Sequence, residues 1–118
     1  MNIQRFSEIC HVSVYTLRYY EKIGLLKQIQ RNSSGHRDFT QADLAWIEFI
    51  KRLKDTGMPL KDIKIYASLR DKGESTHLPR LKLLQQHTAN LQARIAAETE
   101  HLQKLQEKIE YYQDLQKG

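Results

Sequence analysis

Apolar residues in the first 26 positions recur at helical spacing in two short segments. The first segment, residues 2–10, is marked by apolar positions three and four residues apart, namely Ile3, Phe6 and Cys10. After a short connection, Ser13 is a favourable N-cap for a second helix, which Gly24 ends. Two short helices joined by so tight a turn predict a helix-turn-helix.

The next segment is polar and rich in turn-forming residues. The sequence NSSG at residues 32–35 lies between two short segments, residues 28–30 and residues 37–39. We expect a small β-hairpin with a polar, basic tip. Such a hairpin is the wing of a winged helix-turn-helix.

Two further helices are predicted from their ends. Thr40 and Asp43 form a variant of the capping box, so a third helix begins here and runs to about Asp55. It is apolar on much of its circumference, which predicts burial between two layers. Gly57 ends it and Pro59 opens a fourth helix. One face of the fourth helix carries Leu60, Ile63, Tyr66 and Leu69.

After Pro79 the chain contains neither glycine nor proline as far as Leu115. Ten positions alternate by three and four, and eight of them are apolar, which predicts a coiled-coil seam. The ten are Leu81, Leu84, Thr88, Leu91, Ile95, Glu98, Leu102, Leu105, Ile109 and Tyr112. One helix cannot cover its own seam, so a second copy is the simplest partner. The predicted fold is mainly α, with a winged helix-turn-helix domain over residues 1–71 and a long dimerising coiled-coil helix over residues 76–116.

Positive charge is concentrated in the front part of the chain, whose net charge is +5. Residues 1–70 hold twelve Lys or Arg against seven Asp or Glu, whereas residues 71–118 hold seven of each. A basic domain of this kind favours an anionic partner.

Several classes of protein are excluded by what the sequence lacks. The single cysteine, Cys10, can form neither an intramolecular disulfide nor a zinc site by itself. There is no signal segment and no run of eighteen apolar residues, so we expect a cytoplasmic protein without a membrane partner. A phosphate-binding glycine loop, an HExxH motif and a nucleophile–base set are also missing. We therefore predict no enzyme activity, catalytic residues, metal site or cofactor.

Four residues of the second helix share one stripe at positions i, i+3, i+4 and i+7, namely Tyr15, Arg18, Tyr19 and Lys22. With the neighbouring Thr16, the stripe offers hydroxyls and cations but no acid. Hydroxyls and cations contact phosphates, while Arg and Thr can reach base edges, so the stripe suits DNA. The alternative is a solvated amphipathic face whose tyrosines pack partly against neighbours. Tyr20 lies between this stripe and the opposite, apolar side of the helix, and it is expected in the core.

Three segments resemble the MerR family of bacterial transcription regulators: VSVYTLRYYEKIGLL, RNSSGHRDFT and DLAWIEFIKRLKDTGMPLKDIK. The resemblance is specific over residues 1–70 and extends over the tail by architecture alone. It implies a winged helix-turn-helix and an antiparallel coiled-coil homodimer that binds double-stranded promoter DNA in an overlong spacer. In that family the dimer bends and undertwists the spacer, so RNA polymerase is affected indirectly, through the promoter.

The resemblance also implies residue roles. By comparison with the family, Thr16, Arg18 and Tyr19 correspond to DNA contacts of the recognition helix, and Tyr15 lies at the edge of that set. Arg37 corresponds to the DNA contact of the first wing. The turn before the fourth helix corresponds to a second wing, where helix-terminal N–H groups can hold a phosphate. Lys61 and Lys64 either assist there or are only solubilising charges.

The first wing departs from the family pattern at two positions. His36 stands where a tyrosine is usual, and Asp38 stands where a basic residue is common. Arg31 either compensates for Asp38 or is solvated. The complete set of predicted DNA-binding residues is Tyr15, Thr16, Arg18, Tyr19, Lys22, Arg31, His36, Arg37, Lys61 and Lys64.

An antiparallel pairing of the seam brings Leu91 opposite the partner's Leu102. Glu98 then falls opposite the partner's Ile95, near the two-fold axis, with the partner's Arg94 one position away. Our hypothesis is that Glu98 and Arg94 pair and help to fix the register. The alternative is that Glu98 bends into solvent. The predicted interface comprises Leu84, Leu91, Ile95, Glu98, Leu102, Leu105, Ile109 and Tyr112.

The sequence limits what such a regulator could sense. Metal-sensing members of the family carry cysteines that this chain lacks, and drug-sensing members carry an added domain. The nearest branch responds to aldehydes and other electrophiles, which suggests a stress response, but Arg52 and Lys54 replace its proposed sensor cysteine. Cys10 lies on the inward stripe, where a cysteine is most often an inert small hydrophobe, and sensing is the alternative.

A function of a different class is also compatible with the sequence. The chain could be a coiled-coil protein–protein adaptor whose basic front docks on an acidic partner. DNA binding and this docking differ in their salt dependence and in their preference for an inverted-repeat site.

Overall fold

The computed structural model describes residues 1–118 and contains five α-helices, one short 3₁₀-helix and no strand. The helices are α1 (Ile3–Cys10), α2 (Val14–Lys22), α3 (Gln41–Asp55), α4 (Leu60–Asp71) and α5 (His77–Lys117), with the 3₁₀-helix at Glu74–Thr76. This confirms the predicted fold class, a mainly α chain with a long last helix.

Side chains cap the N-termini of the first three helices. Asn2 accepts a hydrogen bond from the Arg5 N–H at 2.8 Å, so α1 begins one residue later than predicted. Ser13 accepts from the Thr16 N–H at 3.1 Å, which confirms it as the cap of α2. The reciprocal capping box at the start of α3 is also confirmed. These caps satisfy N–H groups that have no partner inside a helix.

Glycines in the left-handed conformation end α2 and α3. Gly24 and Gly57 both have a φ of 89°, which L side chains rarely adopt. The chain then turns back, and the Leu25 N–H donates to the Tyr20 carbonyl at 2.8 Å. The two predicted helix ends are confirmed.

The core of the first domain lies between α1, α2 and α3. Phe6 stacks on Phe39 with ring centroids 4.3 Å apart, which joins α1 to the residue before the α3 cap. Tyr20 is buried, as predicted. The largest side chains that are almost fully enclosed are Phe6, Leu17, Leu25, Leu26, Ile47 and Ile50.

Trp46 of α3 connects three parts of this domain. Its indole N–H donates to the Leu25 carbonyl at 2.7 Å. The Tyr66 ring stacks on it at 5.9 Å, and the Arg70 guanidinium lies 4.2 Å from its centroid. The cation–π contact and the stacking hold α4 against α3.

The predicted inner face of α4 is correct only in part. Ile63 is buried, but Leu60 at the start of the helix is 44% exposed. Ala67, four residues after Ile63, supplies the second buried position instead.

The predicted β-hairpin is wrong as regards its strands. Residues 28–39 form a polar turn with one isolated antiparallel bridge between Arg31 and Arg37. The Asn32 carboxamide oxygen accepts from the N–H groups of Ser34 and His36 at 2.9 and 3.1 Å. These side-chain bonds hold the turn, and they compete with ladder pairing. The wing is therefore a capped loop.

The chain divides into two compact units, Met1–Leu83 and Leu84–Gly118. In the first, the buried Thr76 hydroxyl donates to the Leu69 carbonyl at 2.6 Å and thus closes the end of α4. In the second, the chain is helical to Lys117 and buries no side chain. None of the helices combines the length and the apolar character needed to cross a bilayer.

We expect Thr40→Ala to lower the free energy of unfolding by about 1 kcal/mol, because it removes the hydroxyl oxygen that accepts the Asp43 N–H at the start of α3. Urea denaturation at a fixed protein concentration measures this. Gln41→Ala, at the neighbouring exposed position, is the matched control and should change stability by less than about 0.5 kcal/mol. Equal losses for the two variants would contradict the role of the cap.

Candidate nucleic-acid interface

The predicted stripe of α2 is on the surface of the first unit. Tyr15 is 83% exposed and Tyr19 is 44% exposed, and Arg18 and Lys22 are exposed as well. The opposite side of the same helix is enclosed, with Leu17 only 1% exposed. The helix therefore presents a face of hydroxyls and cations to solvent.

Thr16 lies at the edge of this face. Its hydroxyl oxygen accepts a hydrogen bond from the Ser13 hydroxyl at 2.9 Å, while Ser13 also caps the helix. The Thr16 side chain is half-buried and held in place by the capping residue. A side chain that is already fixed in position loses less freedom when it binds a partner.

A cleft with a volume of 450 Å³ lies where the start of α1, the stripe of α2 and the wing meet. The structure brings four of the predicted DNA-binding residues together here, namely Arg18, Arg31, His36 and Arg37. Three of these carry guanidinium groups. Arginine matches the geometry of phosphate oxygens with paired N–H donors, so the cleft suits a phosphate of the DNA backbone.

Arg37 is held by an acid that the sequence interpretation missed. Its Nε and Nη2 donate to the two carboxylate oxygens of Glu21 at 2.7 and 3.0 Å. Both side chains are about 30% exposed, and they join the end of α2 to the wing. No short-range pattern reveals this pair, because the partners are sixteen residues apart in the sequence.

The pair changes the protonation of Glu21. The hydrogen bonds from Arg37 lower the pKa of the carboxyl group, and the positive charge of Arg31 lowers it further. The same pair raises the pKa of Arg37. Both groups are therefore ionised at neutral pH, and the wing is tied to α2 by a charge-assisted bidentate contact.

The other charged and polar side chains of the wing differ in how they are held. Arg31 donates through Nη1 to the Gly35 carbonyl at 2.9 Å, and its side chain stays exposed. The His36 side chain is exposed at the tip. The Asp38 carboxylate accepts from the Met1 amino group at 2.7 Å, which offsets its negative charge.

Lys61 and Lys64 lie apart from the cleft. They line a shallow groove on α4 together with Leu60, Ile65 and Ser68. Both lysines are exposed, so the structure is compatible with DNA contact and with a solubilising role.

The predicted seam residues of the second unit are largely exposed in the single chain. Leu91 is half-buried, whereas the more distal members range from 54% to 63% exposed: Ile95, Leu102, Leu105, Ile109 and Tyr112. Arg94 and Glu98 lie on the same shallow groove as Leu91, Ile95 and Leu102. Leu84, before this groove, is half-buried. The contacts predicted between copies stay predictions.

Cys10 is fully buried, as its position on the inward stripe indicated. Burial raises the pKa of its thiol, which keeps the group protonated and unreactive at neutral pH. The thiol makes a long contact of 4.0 Å to the Ser7 carbonyl. These properties are those of an inert core residue.

Models of known protein families match both parts of the chain. The model of MerR HTH family regulatory proteins matches residues 1–69, and the MerR DNA-binding model matches residues 44–108. The chain belongs to the MerR family. Its members are helix-turn-helix transcriptional regulators, in agreement with the resemblance noted above.

Relatives of known sequence support membership in the MerR family. An uncharacterized HTH-type transcriptional regulator of Haemophilus influenzae is 42% identical over 102 residues, which cover 86% of this chain and 76% of that protein. The HTH-type transcriptional regulator AdhR of Bacillus subtilis is 36% identical over 84 residues. That match covers 71% of this chain and 60% of AdhR.

Solved structures of MerR regulators share the fold. A MerR family regulator from Listeria monocytogenes has a TM-score of 0.88 and 39% identity, covering 95% of this chain and 85% of that one. HiNmlR, a MerR family regulator that lacks the sensor domain, was solved bound to promoter DNA. It has a TM-score of 0.84 and 39% identity, covering 96% of this chain and 90% of its own.

We expect Glu21→Gln to reduce the free energy of unfolding by about 1 kcal/mol at pH 7, since it removes a partly exposed ion pair. The folded-state pKa of Glu21 lies below its ordinary value of 4.5, so the stabilisation is complete above about that pH. It is lost as the pH falls through the lowered pKa. Urea unfolding of both proteins between pH 7 and pH 3 should show the difference shrinking in acid.

The matched control is Glu8→Gln, because Glu8 forms an exposed pair with Arg5 at 3.6 Å. This substitution should leave stability almost unchanged at every pH. A difference between wild type and Glu21→Gln that stays constant down to pH 3 would contradict the role of the charge.

Proposed function

We propose that this MerR-family protein is a homodimeric, sequence-specific regulator that reads a two-fold symmetric operator with α2. One observation carries the proposal: a single exposed face of α2 combines Tyr15, Arg18, Tyr19 and Lys22, next to a cleft with three arginines. Thr16 completes the reading face. The fit to duplex DNA follows from this chemistry together with the family membership.

The side chains of α2 are proposed to make two kinds of contact with DNA, according to the hydrogen-bond donors that they carry. Arg18 and Thr16 can form hydrogen bonds with base edges in the major groove, and an arginine pairs best with guanine. The tyrosine hydroxyls and Lys22 contact the phosphates on either side. Backbone contacts position the helix, while base contacts supply sequence preference.

The wing can serve DNA binding without releasing Arg37 from Glu21. A guanidinium group has five N–H donors, and the pair uses two of them at Nε and Nη2. The Nη1 group is left to face a phosphate. Arg31 and His36 extend the positive edge of the wing, and Lys61 and Lys64 form the corresponding edge at α4.

Dimerisation is proposed through the helical residues 84–117. Their apolar side chains are more than half exposed in the single chain at Ile95, Leu102 and Ile109. An antiparallel pairing covers them and sets Glu98 near the partner's Arg94. Two α2 helices spaced about 34–36 Å apart then meet successive major grooves. As in the family, the proposed mechanism is distortion of an overlong promoter spacer, which acts on RNA polymerase indirectly.

Footprinting on the promoter region of the protein's own gene tests the function. We expect protection of an inverted repeat, with log affinity falling linearly with log salt concentration. A coiled-coil adaptor is the competing function. It predicts binding to an acidic protein and no preference for the inverted repeat.

Arg18→Ala should weaken binding to the operator by about 1–3 kcal/mol, because Arg18 is assigned a base contact. Binding to random DNA should weaken much less. Fluorescence anisotropy on both duplexes measures the two losses. Lys104→Ala, which removes one exposed charge from α5, is the control and should leave the operator preference intact. Equal loss on both duplexes would make Arg18 a phosphate contact.

Leu102→Lys should convert the dimer into monomers, because it buries an ammonium group opposite an apolar side chain of the partner. Analytical ultracentrifugation measures the change. Gln103→Lys adds the same charge at the adjacent position off the seam and should remain dimeric. A dimeric Leu102→Lys protein would contradict the proposed seam.

A further inference from the structure

A cavity of 260 Å³ lies between α2, α3 and α4, behind the stripe of α2. Its walls are mainly apolar and include Leu25, Ile50 and Met58, all of which are at least 95% buried. Ligand sites in proteins are typically concave, mostly apolar and furnished with a few polar groups. The volume is just below the usual range for drug-sized ligands, so it fits a small molecule.

Tyr20 supplies the first polar group of this cavity. Its side chain is 93% buried, yet its hydroxyl has no hydrogen-bond partner within the chain. No enclosed polar side-chain atom of the protein lacks a partner, so solvent reaches this hydroxyl. Tyr20 is one of the residues that line the cavity. A hydroxyl that bonds only to solvent can exchange that bond for one to a ligand without breaking any bond within the protein.

Lys54 of α3 supplies the second polar group. It lines the same cavity, and no carboxylate of the chain lies within 4.0 Å of its ammonium group. A cation and a phenol beside apolar walls are complementary to an anionic head attached to an apolar tail. Hydrogen bonds to a charged group are stronger than those between neutral groups, which favours a carboxylate over an alcohol or an aldehyde.

We propose that this cavity binds a small carboxylate with a short apolar tail. The carboxylate accepts hydrogen bonds from Lys54 and Tyr20, while the tail lies against Leu25, Ile50 and Met58. This binding goes beyond the proposed function and does not depend on it, because the site is formed by a single first unit.

The cavity also shares a residue with the proposed DNA-binding face. Tyr19 lines it and belongs to the stripe of α2, while Leu60 lines it at the start of α4. A ligand bound in the cavity therefore lies beside both of the elements proposed to face DNA, and a carboxylate adds negative charge there. Resting on the proposed function, we expect the ligand to weaken DNA binding, and by linkage DNA to weaken ligand binding.

The binding test uses the full-length chain without DNA and octanoate as the probe. The protein has two methionines, and only Met58 lines the cavity, so Met1 is an internal reference in ¹³C-methyl NMR. We expect a saturable shift of the Met58 methyl signal and none of Met1. Octan-1-ol, with the same number of carbons, should bind at least about tenfold more weakly.

Variants assign the contacts. Tyr20→Phe removes only the hydroxyl, and Lys54→Gln replaces the ammonium group by a shorter, neutral amide, so each should raise the Kd for octanoate by about tenfold. Lys82→Gln, at an exposed lysine away from the cavity, is the matched control and should not change the Kd. Absence of a saturable Met58 shift at millimolar octanoate would overturn the proposal. Equal binding of octan-1-ol, or equal loss in the Lys82 variant, would overturn the carboxylate assignment.

The coupling is tested separately by anisotropy of labelled operator DNA with and without saturating octanoate. We expect about fivefold weaker DNA binding, at the lower end of usual coupling energies. Unchanged affinity while the Met58 signal is saturated would overturn the coupling. A protein that binds no DNA at all would refute the proposed function, and the DNA-free titration would still decide the site.

Discussion

Burial of one side of α2 determines what the other side can do. The helix has only nine residues, and Leu17 and Tyr20 are committed to the core. Since a helix turns by about 100° per residue, the positions between them must face solvent. The turn at Gly24 returns the chain to the core after α2. Leu25 is buried there, and its carbonyl accepts a hydrogen bond from the Trp46 indole N–H. Everything proposed about recognition depends on this arrangement.

The wing depends on electrostatics where the helices depend on apolar burial. It has one isolated bridge and a few backbone hydrogen bonds, so the Asn32 side chain and the Glu21–Arg37 pair contribute much of what holds it. An ion pair that is one-third exposed is weaker than a packed core contact. The wing is therefore the less firmly held of the surfaces that surround the cleft. Such a surface can adjust to a ligand without disturbing the helices.

Features that depend on neighbours in the sequence could be predicted, and those that depend on distant neighbours could not. The caps at Ser13 and Thr40, the glycine ends and the burial of Tyr20 follow from local chemistry and helical periodicity. The Glu21–Arg37 pair arises only when α2 and the wing come together. The strands of the wing were predicted from turn-forming residues. They do not form, because the chain has no further strand with which they could build a sheet. The cavity at Tyr20 and Lys54 results from how three helices pack, which spacing alone does not reveal.

The unbroken helical run of residues 84–117 restricts how its length can vary. Its apolar side chains lie along one line only because they recur every three or four residues. Inserting or removing one residue rotates every later position by about 100° and moves the following apolar residues to another side of the helix. Adding or removing seven residues leaves the later apolar residues on the same side of the helix as the earlier ones. Related chains should therefore differ in this segment by multiples of seven, whereas the loop at the wing can change by single residues.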